Sequence, residues 1–195
     1  MQSKRKKLGF HHGDLKVSAI AETTNLIAKK ANAEFTIREI AKAVGVSHVA
    51  LFNHFEDKST LLAEVAKNGF KGLIQAMGNN IKPSVLSCAE AYLNFAIGHP
   101  GEFRAMFNQS IKPFSKYQGL SEIALQSFQV LTNEVKKEKP NAPAELSLAI
   151  WGAVHGIATL EVDGQFTETI VGTNSSRASV AQRTLELTIK ALLEK

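Results

Sequence analysis

Four residues of this chain are well suited to reading another molecule: His48, Val49, Phe52 and Asn53 share one face if Ser47 to His54 is helical. His48 and Asn53 offer hydrogen-bonding groups that match base edges, while Val49 and the neighbouring Ala50 can touch a thymine methyl. Arg38 can reach a guanine or a phosphate, and a helix beginning at Lys58 would draw an anion to its amino end. Catalysis has no comparable constellation. The chain holds no Gly-x-Ser-x-Gly elbow, phosphate-binding glycine loop, His-Glu-x-x-His or Cys-x-x-Cys, so it reads as a non-enzyme with no cofactor and no catalytic residue. His11, His12 and Asp14 lack the companions of a metal site, because adjacent loop histidines point in different directions.

The elements that must position the reading face are set by local signals. Thr36 and Glu39 have the spacing of a capping box, which starts a helix at Ile37. Ile40, Ala41 and Val44 give that helix an apolar stripe, and Gly45 supplies the left-handed residue that ends it. Val46 is expected to be buried in the turn. Ser47 caps the next helix, and Leu51 and Phe55 hold it on its neighbour, leaving the reading face outward. This is helix-turn-helix geometry, with the second helix offered to a major groove.

The same run, through Arg38-Glu39-Ile40-Ala41, Gly45-Val46-Ser47, Leu51-Phe52, His54-Phe55, Asp57-Lys58 and Leu61-Leu62, resembles the DNA-binding domain of the TetR family of bacterial repressors. His11-His12-Gly13-Asp14-Leu15 is similar to the opening of one branch of that family, as is His99-Pro100-Gly101-Glu102-Phe103 with Met106-Phe107. Trp151, His155 and Gly156 resemble that branch's WHG-type C-terminal domain. The resemblance implies an all-α fold of about nine helices. A three-helix DNA-binding domain, residues 1–60, would precede a helical ligand-binding and dimerisation domain, residues 61–195. It further implies that Thr36, His54 and Lys58 clamp phosphates, which sets register and not sequence. The DNA-facing set is then Thr36, Arg38, Ser47, His48, Val49, Phe52, Asn53, His54 and Lys58. Two departures stand out: Phe52 replaces the usual tyrosine and its phosphate-donating hydroxyl, and Ala31 replaces a closing glycine, passing the left-handed role to Asn32.

A chain of 195 residues, 44% hydrophobic and 21% charged, has room for one substantial core or two packed units. Its net charge of +5 is unevenly placed. Residues 1–58 hold ten Lys/Arg against six Asp/Glu, whereas residues 59–195 hold thirteen against twelve. The excess sits with the helix-turn-helix and predicts salt-sensitive binding to a polyanion. Lys4-Arg5-Lys6-Lys7 fits either a minor-groove arm or a solubilising tail. The single cysteine, Cys88, excludes an internal disulfide and reads as a small core residue or a redox sensor. No apolar run is long enough to span a membrane and no signal-peptide pattern follows the basic start, so a cytoplasmic, nucleoid-associated protein is expected.

Helical periodicity predicts helices over Asp14–Ala31, from Asp57 as cap to about Asn79, from Pro83-Ser84 to Gly98, Glu102 to about Gln109, Ser121 to Lys139, and Pro143 to Val162. Lys112-Pro113-Phe114 reads as a loop. The Pro143–Val162 helix has two apolar faces, one of Leu146, Ala149, Ile150, Ala153, Ile157 and Leu160, the other of Leu148, Trp151, His155 and Ala158. It must therefore be covered on both sides. A Gly/Ser/Thr-rich stretch from Asp163 to Ser176 separates it from a last helix carrying Val180, Leu185, Ile189, Leu192 and Leu193, and these two helices are the expected homodimer seam.

Phe95, Phe103, Met106, Phe107, Phe128, Trp151 and His155 form the candidate ligand set, with His155 as the orienting polar group. Each aromatic also reads as plain core, and His155 as a hydrogen-bonded core histidine. The expected function is a homodimeric repressor, released from a palindromic double-stranded operator by a small-molecule effector. The alternative is an activator or DNA-binding dimer without such a ligand.

Overall fold

The computed structural model describes residues 12–30, 34–79, 81–171 and 176–194. The Lys4–Lys7 arm, the His11 pairing and the Ala31/Asn32 helix end lie outside the described residues, as do the side chains of His12 and Asp14. Among the described residues there are helices and no strands, confirming an all-α chain. The helices are α1 (His12–Lys29), α2 (Ile37–Val44), α3 (His48–Phe52), α4 (Lys58–Gly78), α5 (Val85–Gly98), α6 (Pro100–Met106), α7 (Leu120–Glu138), α8 (Glu145–Val162), the single turn α9 (Glu168–Val171) and α10 (Arg177–Leu193). Two 3-10 turns, Gln109–Ile111 and Phe114–Lys116, join α6 to α7.

Capping explains most of these boundaries. Ser84 accepts from the Ser87 amide at 3.0 Å to open α5, and Ser176 accepts from the Ser179 amide at 3.2 Å to open α10. Several expected limits move. Helix α1 runs from His12 to Lys29, two residues earlier at both ends than expected. Pro100, read as a stop, instead opens α6 at its first position, where a missing amide is harmless. Helix α8 starts at Glu145 instead of Pro143, and α9 falls inside the stretch expected to be loop.

The α8 faces also need redrawing. Ser147, Ile150, Val154, Ile157 and Ala158 are buried, whereas Leu148, Ala149, Gly152, Gly156 and Leu160 are exposed. The expected first face therefore divides: Ile150 and Ile157 enter the core, and Ala149 and Leu160 stay outside. On α10, Leu185 and Ile189 pack into their own subunit and leave Leu187 bare.

Helix α4 is the axis of the molecule. Its Leu61, Leu62, Val65, Ala66, Phe70, Leu73 and Met77 are all buried within one continuous core, and α4 packs on α1 as well as on α5, α6 and α7. Helix α6 is wedged between α1 and α4 by two glycines. A methyl on Gly101 would strike the Thr24 carbonyl of α1, and one on Gly69 of α4 would come within 2.7 Å of the Met106 sulfur. Arg104 fastens the wedge, donating to the Ala28 carbonyl at 3.3 Å and to the Val162 carbonyl at 2.8 Å.

A candidate nucleic-acid interface and an apolar cavity

The reading surface is built from short-range hydrogen bonds. Thr36 Oγ1 accepts from the Glu39 amide at 3.2 Å, and the Glu39 carboxylate accepts from the Thr36 amide at 2.7 Å. Lys30 reaches the same carboxylate at 3.0 Å; its hydrogen bond, followed by those from Thr36, holds Glu39 below the usual carboxylate range. Gly45 adopts φ 81°, and its amide and that of Val46 both close on the Ala41 carbonyl, at 3.0 and 2.9 Å. Val46 is half-buried in this turn, not buried. Ser47 Oγ then accepts from the Ala50 amide at 3.2 Å, and fully buried Leu51 pins α3 from beneath.

Helix α3 spans only His48–Phe52, shorter than the Ser47–His54 rod expected from the pattern. Its outer face carries His48, 58%-exposed Val49 and 49%-exposed Phe52, with the His48 ring edge-on to Phe52 at 6.3 Å. Asn53 is exposed at the carboxyl cap, and Thr36, Arg38 and Ser47 are exposed beside it. His54 is half-buried, its ring tilted against Phe55. The Lys58 ammonium sits 4.7 Å above the Phe35 ring, which fixes its direction. Asp57 caps the amino end of α4 as expected, accepting from the Thr60 amide at 2.7 Å and the Thr60 hydroxyl at 2.9 Å. A carboxylate of the chain itself thus meets the positive end of that helix dipole.

Behind this head, a cavity of about 210 Å³ lies among α4, α5, α7, α8 and the loop after α6. Helix α4 lends it Phe70, Leu73 and Met77; α5 lends Cys88, Ala89 and Tyr92; α7 lends Ala124, Ser127, Phe128 and Leu131; and α8 lends Leu148, Trp151 and Val154. Phe107, Lys112 and Phe114 complete the wall.

Of the seven expected ligand residues, Phe107, Phe128 and Trp151 face this space. The other four stand behind the wall. Phe95 stacks on His99 at 4.8 Å, Phe103 packs edge-on to Tyr92 at 6.0 Å, and Met106 is fully buried in the α6 wedge. His155 has its Nδ1 2.9 Å from the Tyr92 hydroxyl, with its ring 4.3 Å from that of Phe107. Burial keeps the His155 imidazole below its usual pKa and raises the Tyr92 hydroxyl above its own. Cys88 is on the wall with its thiol pushed up to about 11, first by burial and then by Glu134 and Glu138; such a thiol is inert rather than redox-poised.

The two regions coincide with two family patterns. Residues 19–65 match the pattern described as bacterial regulatory proteins, tetR family, and residues 85–188 match that of the tetracyclin repressor-like C-terminal domain. The chain belongs to the TetR family. It is a DNA-binding transcriptional regulator, of a family whose members bind DNA and form dimers. Solved structures share its fold. A protein of unknown function from Rhodococcus sp. RHA1 is 22% identical, with a TM-score of 0.72 over 95% of this chain and 98% of its own. A tetR-family transcriptional regulator from Streptomyces coelicolor is 15% identical, with a TM-score of 0.66 over 96% and 89%. The TetR family transcriptional regulator PfmR from Thermus thermophilus is 18% identical, with a TM-score of 0.64 over 88% and 97%. No curated protein matches the chain.

Sequence reasoning overlooked much of the regulator's cavity wall. Leu62, Val65, Ala66, Leu73 and Met77 recur at helical spacing as one α4 stripe, but nothing in the stripe distinguishes a side chain facing a void from one facing a neighbour, and Phe70 lies outside it. Lys112 and Phe114 lie in a segment with no periodicity at all. Among the described residues, no helix is long and apolar enough to cross a membrane.

Proposed function

We propose that this TetR-family regulator is a homodimeric repressor that a small, mostly apolar molecule releases from a near-palindromic operator. A single observation carries the reading. Helix α4 begins in the DNA-binding head and supplies Phe70, Leu73 and Met77 to the cavity wall, so a guest that favours one tilt of α4 also favours one placement of the head. A ligand shifts that balance only through its difference in affinity for the two arrangements.

In this reading residues 1–60 read DNA in the cytoplasm, on the nucleoid, and residues 61–195 bind ligand and dimerise. His48 and Asn53 discriminate bases, Val49 contacts a thymine methyl, and Arg38 meets a guanine or a phosphate. Thr36, Ser47, His54 and Lys58 hold the backbone, without the hydroxyl that Phe52 lacks. The exposed Leu148, Gly152, Gly156 and Leu160 of α8, with Leu187 of α10, form the seam between subunits. A two-fold axis then sets the two α3 helices about 34 Å apart, one turn of duplex.

The test is selection of duplexes from a random pool with the purified regulator, followed by displacement with a panel of small apolar compounds. The expected result is a near-palindrome with half-sites one turn apart, released by at least one compound. Recovery of no preferred duplex, or of an asymmetric one, overturns the dimeric reading. A second reading, a DNA-binding dimer or activator without a guest, is favoured by the cavity volume of about 210 Å³, below the roughly 300–1,000 Å³ of common ligand sites. A palindrome that no compound releases would decide for it.

A further inference from the structure

We propose that the guest of the cavity is a monocarboxylate with a compact apolar tail, its head at Lys112 and its tail running between α4 and α7 toward Cys88. This rests on the ligand-responsive reading above and narrows it to one chemical class. Among the described residues, Lys112 is the single charged one on the wall. Its ammonium lies 3.5 Å over the Phe114 ring, and Phe114 in turn meets Phe70 of α4 edge-on at 5.9 Å, so the charge is held at one end of the cavity. Among the described residues no carboxylate lies within ion-pair distance of it. Partial burial already lowers the Lys112 pKa, a desolvation penalty that a bound anion would relieve.

Among the described residues, the opposite end of the wall carries no charged side chain. Glu134 and Glu138 lie close enough to Cys88 to help raise its thiol pKa. Glu134 pairs with Lys137 at 2.6 Å and Glu138 accepts from the Val85 amide, so that end offers a charged head group no partner. An anion therefore enters head toward Lys112. The space between spans Phe70 to Met77 on α4 and Ala124 to Leu131 on α7, seven residues or about 10 Å along each helix. The polar groups of the wall there are the Trp151 indole, the Cys88 thiol and two hydroxyls that are already hydrogen-bonded: Tyr92 to His155 at 2.9 Å, Ser127 to the Ala124 carbonyl at 2.7 Å. One cation suits the single charge of a carboxylate and not the multiple charges of a phosphate.

The loop that carries Lys112 also reaches the head. Lys67 of α4 donates to the Gln118 carbonyl at 3.2 Å, and Lys116, Tyr117 and Gln118 face Glu56, Asp57 and Thr60 across a shallow groove. A carboxylate drawing Lys112 inward would act on the first turn of α4.

Trp151, the only tryptophan, lies on the wall and reports occupancy by its emission. Titrating the full-length regulator with octanoate, 1-octanol and octylamine tests the head group at constant tail length. Octanoate should bind about tenfold more tightly than octanol, a charge-assisted contact at a partly exposed site, and octylamine weakest. Lys112→Gln should erase the octanoate preference and leave octanol unchanged, whereas Lys112→Arg should retain it. Equal affinity for octanoate and octanol, or a preference that survives Lys112→Gln, overturns the proposal while leaving the cavity a ligand site. Unchanged emission with all three probes overturns both. Octanoate that binds as expected yet leaves duplex affinity unaltered supports the guest assignment and removes release from the operator.

Discussion

In the head, the hydrogen bonds that cap the helices join residues three or four positions apart: Thr36 to Glu39, Gly45 to Ala41, Ser47 to Ala50, Asp57 to Thr60. Around the cavity, Phe70, Tyr92, Phe128 and Trp151 come from four different helices and meet only because the whole C-terminal half has folded. The head can thus stay rigid while exposing Val49 and Phe52, since its geometry does not depend on burying its reading face. The cavity has no such independence. Its shape is a remainder of packing, and anything that shifts α4, α7 or α8 changes it.

Substitutions that act on both regions or on one alone can break this contrast. The largest effect is expected at the wedge that both share. Gly101→Val drives a side chain into the Thr24 backbone and should destabilise the chain by about 3 kcal/mol in urea unfolding, degrading DNA binding and cavity occupancy together. Gly78→Ala, which meets nothing within 4 Å, is the control and should be neutral or slightly stabilising. Next come changes confined to the head. His48→Ala or Asn53→Ala should lose about 1–3 kcal/mol of discrimination at one or two operator positions in a competition assay, with Trp151 emission unaltered. Lys58→Ala should weaken all duplexes alike and reduce the salt slope by about one.

Smaller still is Ser47→Ala, which removes the α3 cap and should cost about 1 kcal/mol of stability; a thermal melt unchanged from wild type would show that the turn is held by Leu51 alone. The smallest effect concerns pH. His155 has a folded pKa below its unfolded value of about 6.5, so the unfolded chain binds more protons across the interval between the two. Its contribution is complete above that unfolded value and is lost as pH falls toward the folded one. Melting temperature should therefore drop on acidification through this window, and His155→Gln should flatten the drop.

The same contrast explains what the sequence disclosed. Capping boxes and a left-handed glycine are local hydrogen-bonding devices, and Thr36, Gly45, Ser47, Asp57 and Ser84 each occupy the capping position that their types indicate. Where a residue serves two opposite roles, the reading slipped: Pro100 ends one helix and opens another, and only the surrounding packing selects. Periodicity identified α8 as apolar almost all round without dividing core from surface, because Ile150 and Ala149 differ by tertiary context and not by type. Phe95 and Phe107 are equally aromatic, yet the first stacks on His99 and the second lines the cavity. Lys112 had no local signal, since its role arises from the Phe114 ring beneath it and from helices distant in the chain.

The approach of Gly101 to Thr24 bears on engineering. A chimera that joins a foreign reading head to this body inherits α6 with its bare glycine, and the incoming first helix must present a carbonyl at the same height and tilt to seat there. Donor heads should therefore be chosen by the crossing of their first helix over the recipient's sixth, ahead of any likeness in the reading helix itself.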